Sequence, residues 1–321
     1  MVVSTATQQI EGVKDLLRYL SRDTLLVVMQ RNKKMKNGLS AGWVFGLVIL
    51  GSVIGGWMFW KFRPLDAWAP ILTSLNQPPL SGEISSDLVG IDRDLLEINR
   101  QEMAAIQNAW EKFSGQQEKG TRRGVMRNER NRFFFEKVKT LNQQNLSFLR
   151  ETSGAHEKNY REIARGILRR VNAHPLTNAK RVDQFHEGSQ IGFCFGRALV
   201  IHYWLLEAGV PQGDILKIFN VGRLKVNGVL WRFHVGVMVR DAESGYIVID
   251  PLEENDKILS YQQWVDLNST YEMKSPLSRA RFYVTDPRKF LPAFGAYHLD
   301  QLKHPVLTEY FDRLPEVLVS Q

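Results

Sequence analysis

A chain of 321 residues that is 44% hydrophobic and 24% charged has an ordinary globular composition, with length for one sizeable domain plus accessory segments. Its single cysteine excludes an internal disulfide and any cysteine-rich zinc or iron–sulfur site, while leaving the compartment undecided. The formal charge of +8 would suit a polyanion, but from Asp183 to Gln321 there are 14 Lys and Arg against 17 Asp and Glu, so the positive excess lies upstream.

Thr5 to Arg31 carries Ile10, Val13, Leu16, Leu17 and Leu20 at helical spacing, which predicts a short amphipathic helix within an N-terminal cytoplasmic segment, 1–37. Arg31, Lys33, Lys34 and Lys36 follow, and Leu39 to Trp60 then runs without a charged residue, which predicts a transmembrane helix over 38–61. Trp43, Trp57 and Trp60 fit interfacial anchors at its ends. The basic cluster outnumbers Lys61 and Arg63, which places the N-terminus in the cytoplasm and the rest of the chain across the membrane. The expectation is therefore a single-pass protein of a bacterial inner membrane with a periplasmic catalytic domain. The bilayer is one predicted partner. A homodimer is another, through Gly38, Gly42 and Gly46, or Gly51 and Gly55, although such spacing also arises by chance in a glycine-rich span.

Pro70, Pro78 and Pro79 mark 62–82 as a linker. A helical hairpin or bundle follows over 83–175. Its apolar stripes are Leu88, Ile91, Leu95, Ile98, Met103, Ile106, Trp110 and Phe113; then Phe134, Val138, Leu141 and Phe148; then Tyr160, Ile163, Ile167, Leu168 and Val171. The basic run Arg122 to Arg132 reads as a solvated helical face, so nucleic acid is not among the predicted partners.

The last region, 176–321, holds the chemistry. Cys194 opens the apolar run Phe195 to Ala208, which Gly209 and Pro211 stop, so the thiol sits in the first turn of a helix. Unpaired N–H groups and the dipole at that end favour a thiolate, the reactive form. Val229 to Arg240 alternates as a strand, with Val229, Trp231, Phe233, Val235, Val237 and Val239 on a core face and His234 on the other beside Arg232, Gly236 and Met238. Tyr246 to Asp250 forms the next strand, paired antiparallel through a hairpin around Asp241–Gly245. A register with His234 opposite or diagonal to Asp250 brings the two side chains into contact range. Gly222 to Gly228 marks a turn, with Asn227-Gly228 as its signal.

Cysteine on a helix, then histidine and aspartate on consecutive strands, resembles the papain-like, transglutaminase-like superfamily. The Cys-Phe-Gly-Arg-Ala run, the Trp-x-x-His-Val strand and the Ile-Asp-Pro strand end are most similar to bacterial protein glutaminases, which deamidate glutamine side chains of proteins. The resemblance covers Phe185 to Trp264. It implies Cys194 as nucleophile, His234 as base and then acid, and Asp250 orienting the imidazole, with the Cys194 N–H and the Gln190 side chain as oxyanion donors.

The predicted fold is α+β, a cysteine-bearing helix on an antiparallel sheet, preceded by the transmembrane helix and the helical region. The predicted partner is a protein substrate offering a glutamine side chain. The same triad serves cysteine proteases and transglutaminase-like acyltransferases, and a non-catalytic membrane-anchored binding protein is the reading from another class. His202, two turns beyond Cys194, reads as a hydrogen-bonded packing residue. His156, His174, His186, His298 and His304 lack metal-ligand spacing, and no cofactor is expected.

Overall fold

The protein is represented by a computed structural model that describes residues 64–78, 88–115, 123–151, 158–178, 193–226, 229–252, 257–271, 280–302 and 308–319. Two compact units are distinguished, Met1–Trp68 and Ala69–Gln321, and the second holds nearly all of the described chain.

Helices come first. α1 spans Pro64–Leu75, where proline content predicted a linker. Pro64 occupies its first position, where the missing N–H has no intrahelical role, and Ile71, Leu72 and Leu75 bury one stripe. α2 (Leu95–Gly115) and α3 (Arg123–Asn145) follow. They close on a small core of Ile106, Trp110, Phe134 and Val138, with Met103 and Leu141 packed against it, while Phe113 and Phe135 stay exposed. α4 (Ser147–Glu151) and α5 (Arg161–Ala173) lead towards the sheet, and α6 (Cys194–Glu207) is the apolar helix anticipated from Cys194 onward.

The sheet has five strands, β1 (Ile215–Val226), β2 (Val229–Asp241), β3 (Gly245–Ile249), β4 (Leu259–Ser260) and β5 (Arg281–Thr285), in the order β4-β3-β2-β1-β5. All pairings are antiparallel. β2 and β3 meet where expected: Asp241 pairs with Gly245, whose φ of 74° closes the turn, and the Asp241 carboxylate accepts from the Ser244 N–H and hydroxyl. β1 runs on to Val226, past Gly222, with an irregularity between Val221 and Leu224; the Asn227-Gly228 turn itself lies outside the described residues.

Alternation predicted one buried face for β2, yet every residue from His234 to Val239 is buried. The reason is that the sheet is covered on both sides. Met238 and Val248 join a core with Leu146, Phe148 and Leu149 and with Tyr261, Trp264 and Val265 of α7 (Tyr261–Asn268), while Phe233 meets Phe195 of α6. α7 begins with a capping box in which Ser260 and Gln263 satisfy each other's backbone N–H groups. α8 (Leu299–Leu302) and α9 (Thr308–Val319) complete the chain, and Tyr310 and Phe311 of α9 pack back onto the aromatic residues around Cys194.

The helical region and the sheet are joined by polar contacts. The buried Arg281 guanidinium donates to Glu102 at 2.7 Å and to Asn142, Tyr283 donates to the same Glu102 carboxylate at 2.6 Å, and Asn145 donates to the Phe282 carbonyl at 3.0 Å.

One part of the predicted fold needs correction. The α+β arrangement with an antiparallel sheet is present, but among the described residues no helix is long and apolar enough to cross a membrane. The two longest, α2 and α3, have the length but carry charged residues on most turns. The stretch 38–61 and its glycines lie outside the described residues, and the expected transmembrane helix, with the single-pass inner-membrane placement and periplasmic catalytic domain built on it, is not supported.

Candidate active site

Cys194 is the first residue of α6, and the backbone just before it is unusual. Phe193 has φ 48° and ψ 22°, in the left-handed region that bulky residues avoid, and it is the one non-glycine residue there among those described. Its carbonyl accepts the Gly196 and Arg197 N–H groups at 3.0 and 3.1 Å, so the helix starts without any side-chain cap. The conformation is held by packing: the Phe193 ring lies 4.4 Å from that of Tyr310. Tyr310 can approach only because residue 196 is glycine, since a Cβ there would lie 2.4 Å from its ring. This clamp fixes the direction in which Cys194 leaves the helix.

His234 and Asp250 meet as the strand reading anticipated. Val237 pairs with Ile249, which sets Asp250 one residue further on, diagonal to His234. His234 Nε2 and Asp250 Oδ2 are 2.6 Å apart, and both residues are buried, 0% and 5% exposed. Asp250 has two more donors. Trp264 Nε1–H reaches Oδ2 at 2.7 Å and the Leu252 N–H reaches Oδ1 at 3.0 Å. The Trp264 ring also lies along the imidazole, with centroids 5.9 Å apart and planes 21° from parallel. Gly236 makes room for this, because a Cβ at that position would be 2.6 Å from Val248 and 3.4 Å from the indole.

The electrostatics follow from this packing. Burial works against the imidazolium most strongly, but the charge and hydrogen bond of Asp250, joined by Cys194, outweigh it and hold the His234 pKa up at about 10. For Asp250 burial pushes the carboxyl up, and His234, Trp264 and the Leu252 N–H more than offset it, leaving the carboxyl below its ordinary value. The dyad is thus an ion pair across the neutral range. Cys194, 5% exposed, is close enough to add to the proton affinity of the ring, yet His234 Nδ1 has no aligned hydrogen-bond partner. Thiol and imidazole are neighbours whose hydrogen bond is not closed in this state, as is common before substrate binds.

Of the predicted site residues, the structure brings Cys194, His234 and Asp250 together. Gln190 lies outside the described residues. The Cys194 N–H is that of the first residue of α6, which has no helical carbonyl a turn earlier to bond. His202 is fully buried between Tyr297 Oη at 3.3 Å and Gln212 Oε1 at 3.1 Å, and burial, with Lys217 nearby, pushes its pKa down to about 3. It is a packing residue away from the dyad. Among the described residues, no group of histidine, cysteine, aspartate and glutamate could hold a metal ion.

Sequence reading missed Trp264, Phe193, Gly196 and Tyr310. Trp264 could not be told from a core tryptophan of an amphipathic helix, and the left-handed Phe193 has no sequence signature at all. No family model matches the chain, and no curated protein or solved structure matches it.

Proposed function

We propose that this protein is a thiol amidase that deamidates glutamine side chains of proteins. The observation that carries the reading is the buried His234–Asp250 ion pair beside the only cysteine, with Cys194 held at a helix start by a strained Phe193. A raised imidazole pKa suits an imidazolium that faces a thiolate and acts first as the acid.

In that scheme Cys194 Sγ attacks the carboxamide carbon and the C=O π pair moves onto oxygen. The Cys194 N–H is directed at the oxyanion. His234 passes its proton to the amide nitrogen, the C–N bond breaks and ammonia leaves, giving a thioester. Neutral His234 then takes a proton from water as it attacks the thioester; the C–S bond breaks, glutamate is released, and thiolate and imidazolium are restored. Asp250 stays ionised throughout and holds the ring by Nε2.

The test is ammonia release from a glutamine-containing protein together with a mass gain of one dalton per converted side chain. Wild type should score on both, and Cys194→Ala and His234→Ala on neither. A new peptide N-terminus without ammonia would replace the reading with proteolysis, and equal ammonia release by Cys194→Ala would end it.

A further inference from the structure

β1 and β2 continue beyond the rest of the sheet. β5 pairs with β1 only as far as Val221, and β3 pairs with β2 only from Val237 on, so Leu224–Val226 and Val229–Trp231 form a two-stranded ribbon projecting from the sheet. One side of it is anchored: Leu224 and Val226 are buried in the main core and Trp231 packs against it. Opposite lies a different surface. Arg223, Lys225, Leu230 and Arg232 are exposed, Lys225 stands directly across from Leu230, and Leu230 is 41% exposed despite its size.

The charge of this ribbon is one-sided. From Ile215 to Arg240 there is no aspartate or glutamate, although the region from Asp183 to Gln321 is net acidic with 14 Lys and Arg against 17 Asp and Glu. Of the cations in that stretch, Lys217 is buried on the Lys289 carbonyl and Arg240 is paired with Asp214, which leaves the exposed charge concentrated on the ribbon. The base of the ribbon meets the site: on the anchored side the Trp231 ring lies 5.7 Å from that of His234, and Phe233, which follows the exposed Arg232, meets Phe195, the neighbour of Cys194, with ring centroids 6.4 Å apart.

We infer that the exposed side of this ribbon is the substrate-docking surface, and that it takes polypeptide whose target glutamine is flanked by acidic residues and at least one apolar side chain. The inference rests on the amidase reading for the chemistry, but not for the binding. Cys194 and His234 are buried, so the substrate main chain must lie outside and reach inward by a side chain, with its neighbours over Arg223, Lys225 and Leu230. Complementary charge there speeds encounter and selects among substrates. A nucleic acid fits less well, because a long polyanion would have to extend from the ribbon over a region of net acidic composition and would find Leu230 where a phosphate contact belongs.

The test uses the full chain as Cys194→Ala, with fluorescent peptides that carry one glutamine among acidic, neutral or basic neighbours, and a single-stranded oligonucleotide of the same charge. Fluorescence anisotropy should show the acidic peptide binding about tenfold more tightly than the neutral one, with the difference shrinking as salt rises. Arg223→Glu with Lys225→Glu should reverse the order of acidic and basic peptides. Arg223→Gln with Lys225→Gln should abolish the order and serves if the reversed pair does not fold. The same charge reversal on α3, Arg132→Glu with Lys139→Glu, should leave the order intact. Equal binding of all peptides, an equal effect of the α3 pair, or tighter binding of the oligonucleotide would overturn the inference. Acidic preference with no ammonia from wild type would instead sustain the docking surface and remove the amidase reading, so the two fail separately.

Discussion

The hydrogen bond from Trp264 to Asp250 shares an acceptor oxygen with His234, and it helps to keep that carboxyl ionised in a buried site. Trp264→Phe keeps the ring but removes the donor, so the Asp250 pKa should rise and the acid limb of the kcat profile should move to higher pH. A merely structural tryptophan would lower stability and leave the limb in place. The dyad also makes a signed prediction for stability. His234 is raised above its ordinary ~6.5, so its contribution is complete below that value and lost as pH climbs through about 10. Asp250 is lowered, so its contribution is complete above the ordinary carboxyl range and lost as pH falls through the depressed value. Urea unfolding across pH should therefore show a plateau between those limits, and His234→Ala should lower it by about 3–5 kcal/mol by stranding a buried carboxylate. Asp250→Asn should retain more activity than Cys194→Ala or His234→Ala, since the aspartate orients and does not react. Cys194, His234 and Asp250 were legible in the sequence because helix start, strand alternation and hairpin register are local patterns. Trp264 and Phe193 were not, because a donor direction and a positive φ are fixed only by tertiary packing.

Two glycines decide how closely the elements carrying the site approach. Gly196 lets Tyr310 of α9 lie against α6, and Gly236 lets Val248 and Trp264 close over β2. Gly196→Ala should cost about 1–3 kcal/mol in urea unfolding, because the intruding Cβ meets a ring packed between Phe193 and Phe311 that has little room to yield. Tyr310→Ala alone should also destabilise. Combined with Gly196→Ala it should cost less than the sum, because the clash has lost its partner; strict additivity would show that the two residues do not meet. The elements themselves followed sequence pattern well where one periodicity dominated, as in α6 and β2. Pattern failed at Pro64–Leu75, where apolar spacing overrode proline punctuation, and along β1, where a strand continued past Gly222 through an irregular register. It also gave β2 one buried face, since helices arriving from distant parts of the chain cannot be read from a single strand.

Periodicity separates 83–175 from 176–321, yet Ala69–Gln321 form one compact unit, and the reason lies in long-range polar contacts that no local pattern contains. Arg281 is fully buried, and its guanidinium is held by Glu102 of α2 and Asn142 of α3, while Asn142 also accepts the Phe282 N–H at 3.1 Å. These pairings lock the helices to the edge strand β5, whose neighbour β1 pairs Asn220 with His234. The helical region is thus part of what holds the sheet in the register the site needs. Unfolding of this unit should then be a single event. Helical circular dichroism, to which α2 and α3 contribute as the two longest described helices, and tryptophan fluorescence should change together in urea, with coincident midpoints. Arg281→Met should lower the common midpoint, by about 3–5 kcal/mol in free energy, because the Glu102 carboxylate loses its counter-ion and keeps only the Tyr283 hydroxyl as donor, while Asn142 keeps only the Phe282 N–H. Separate midpoints for the two signals in wild type would mean that the helices fold on their own and only rest against the sheet. Separation appearing only in Arg281→Met would locate the coupling in this one guanidinium.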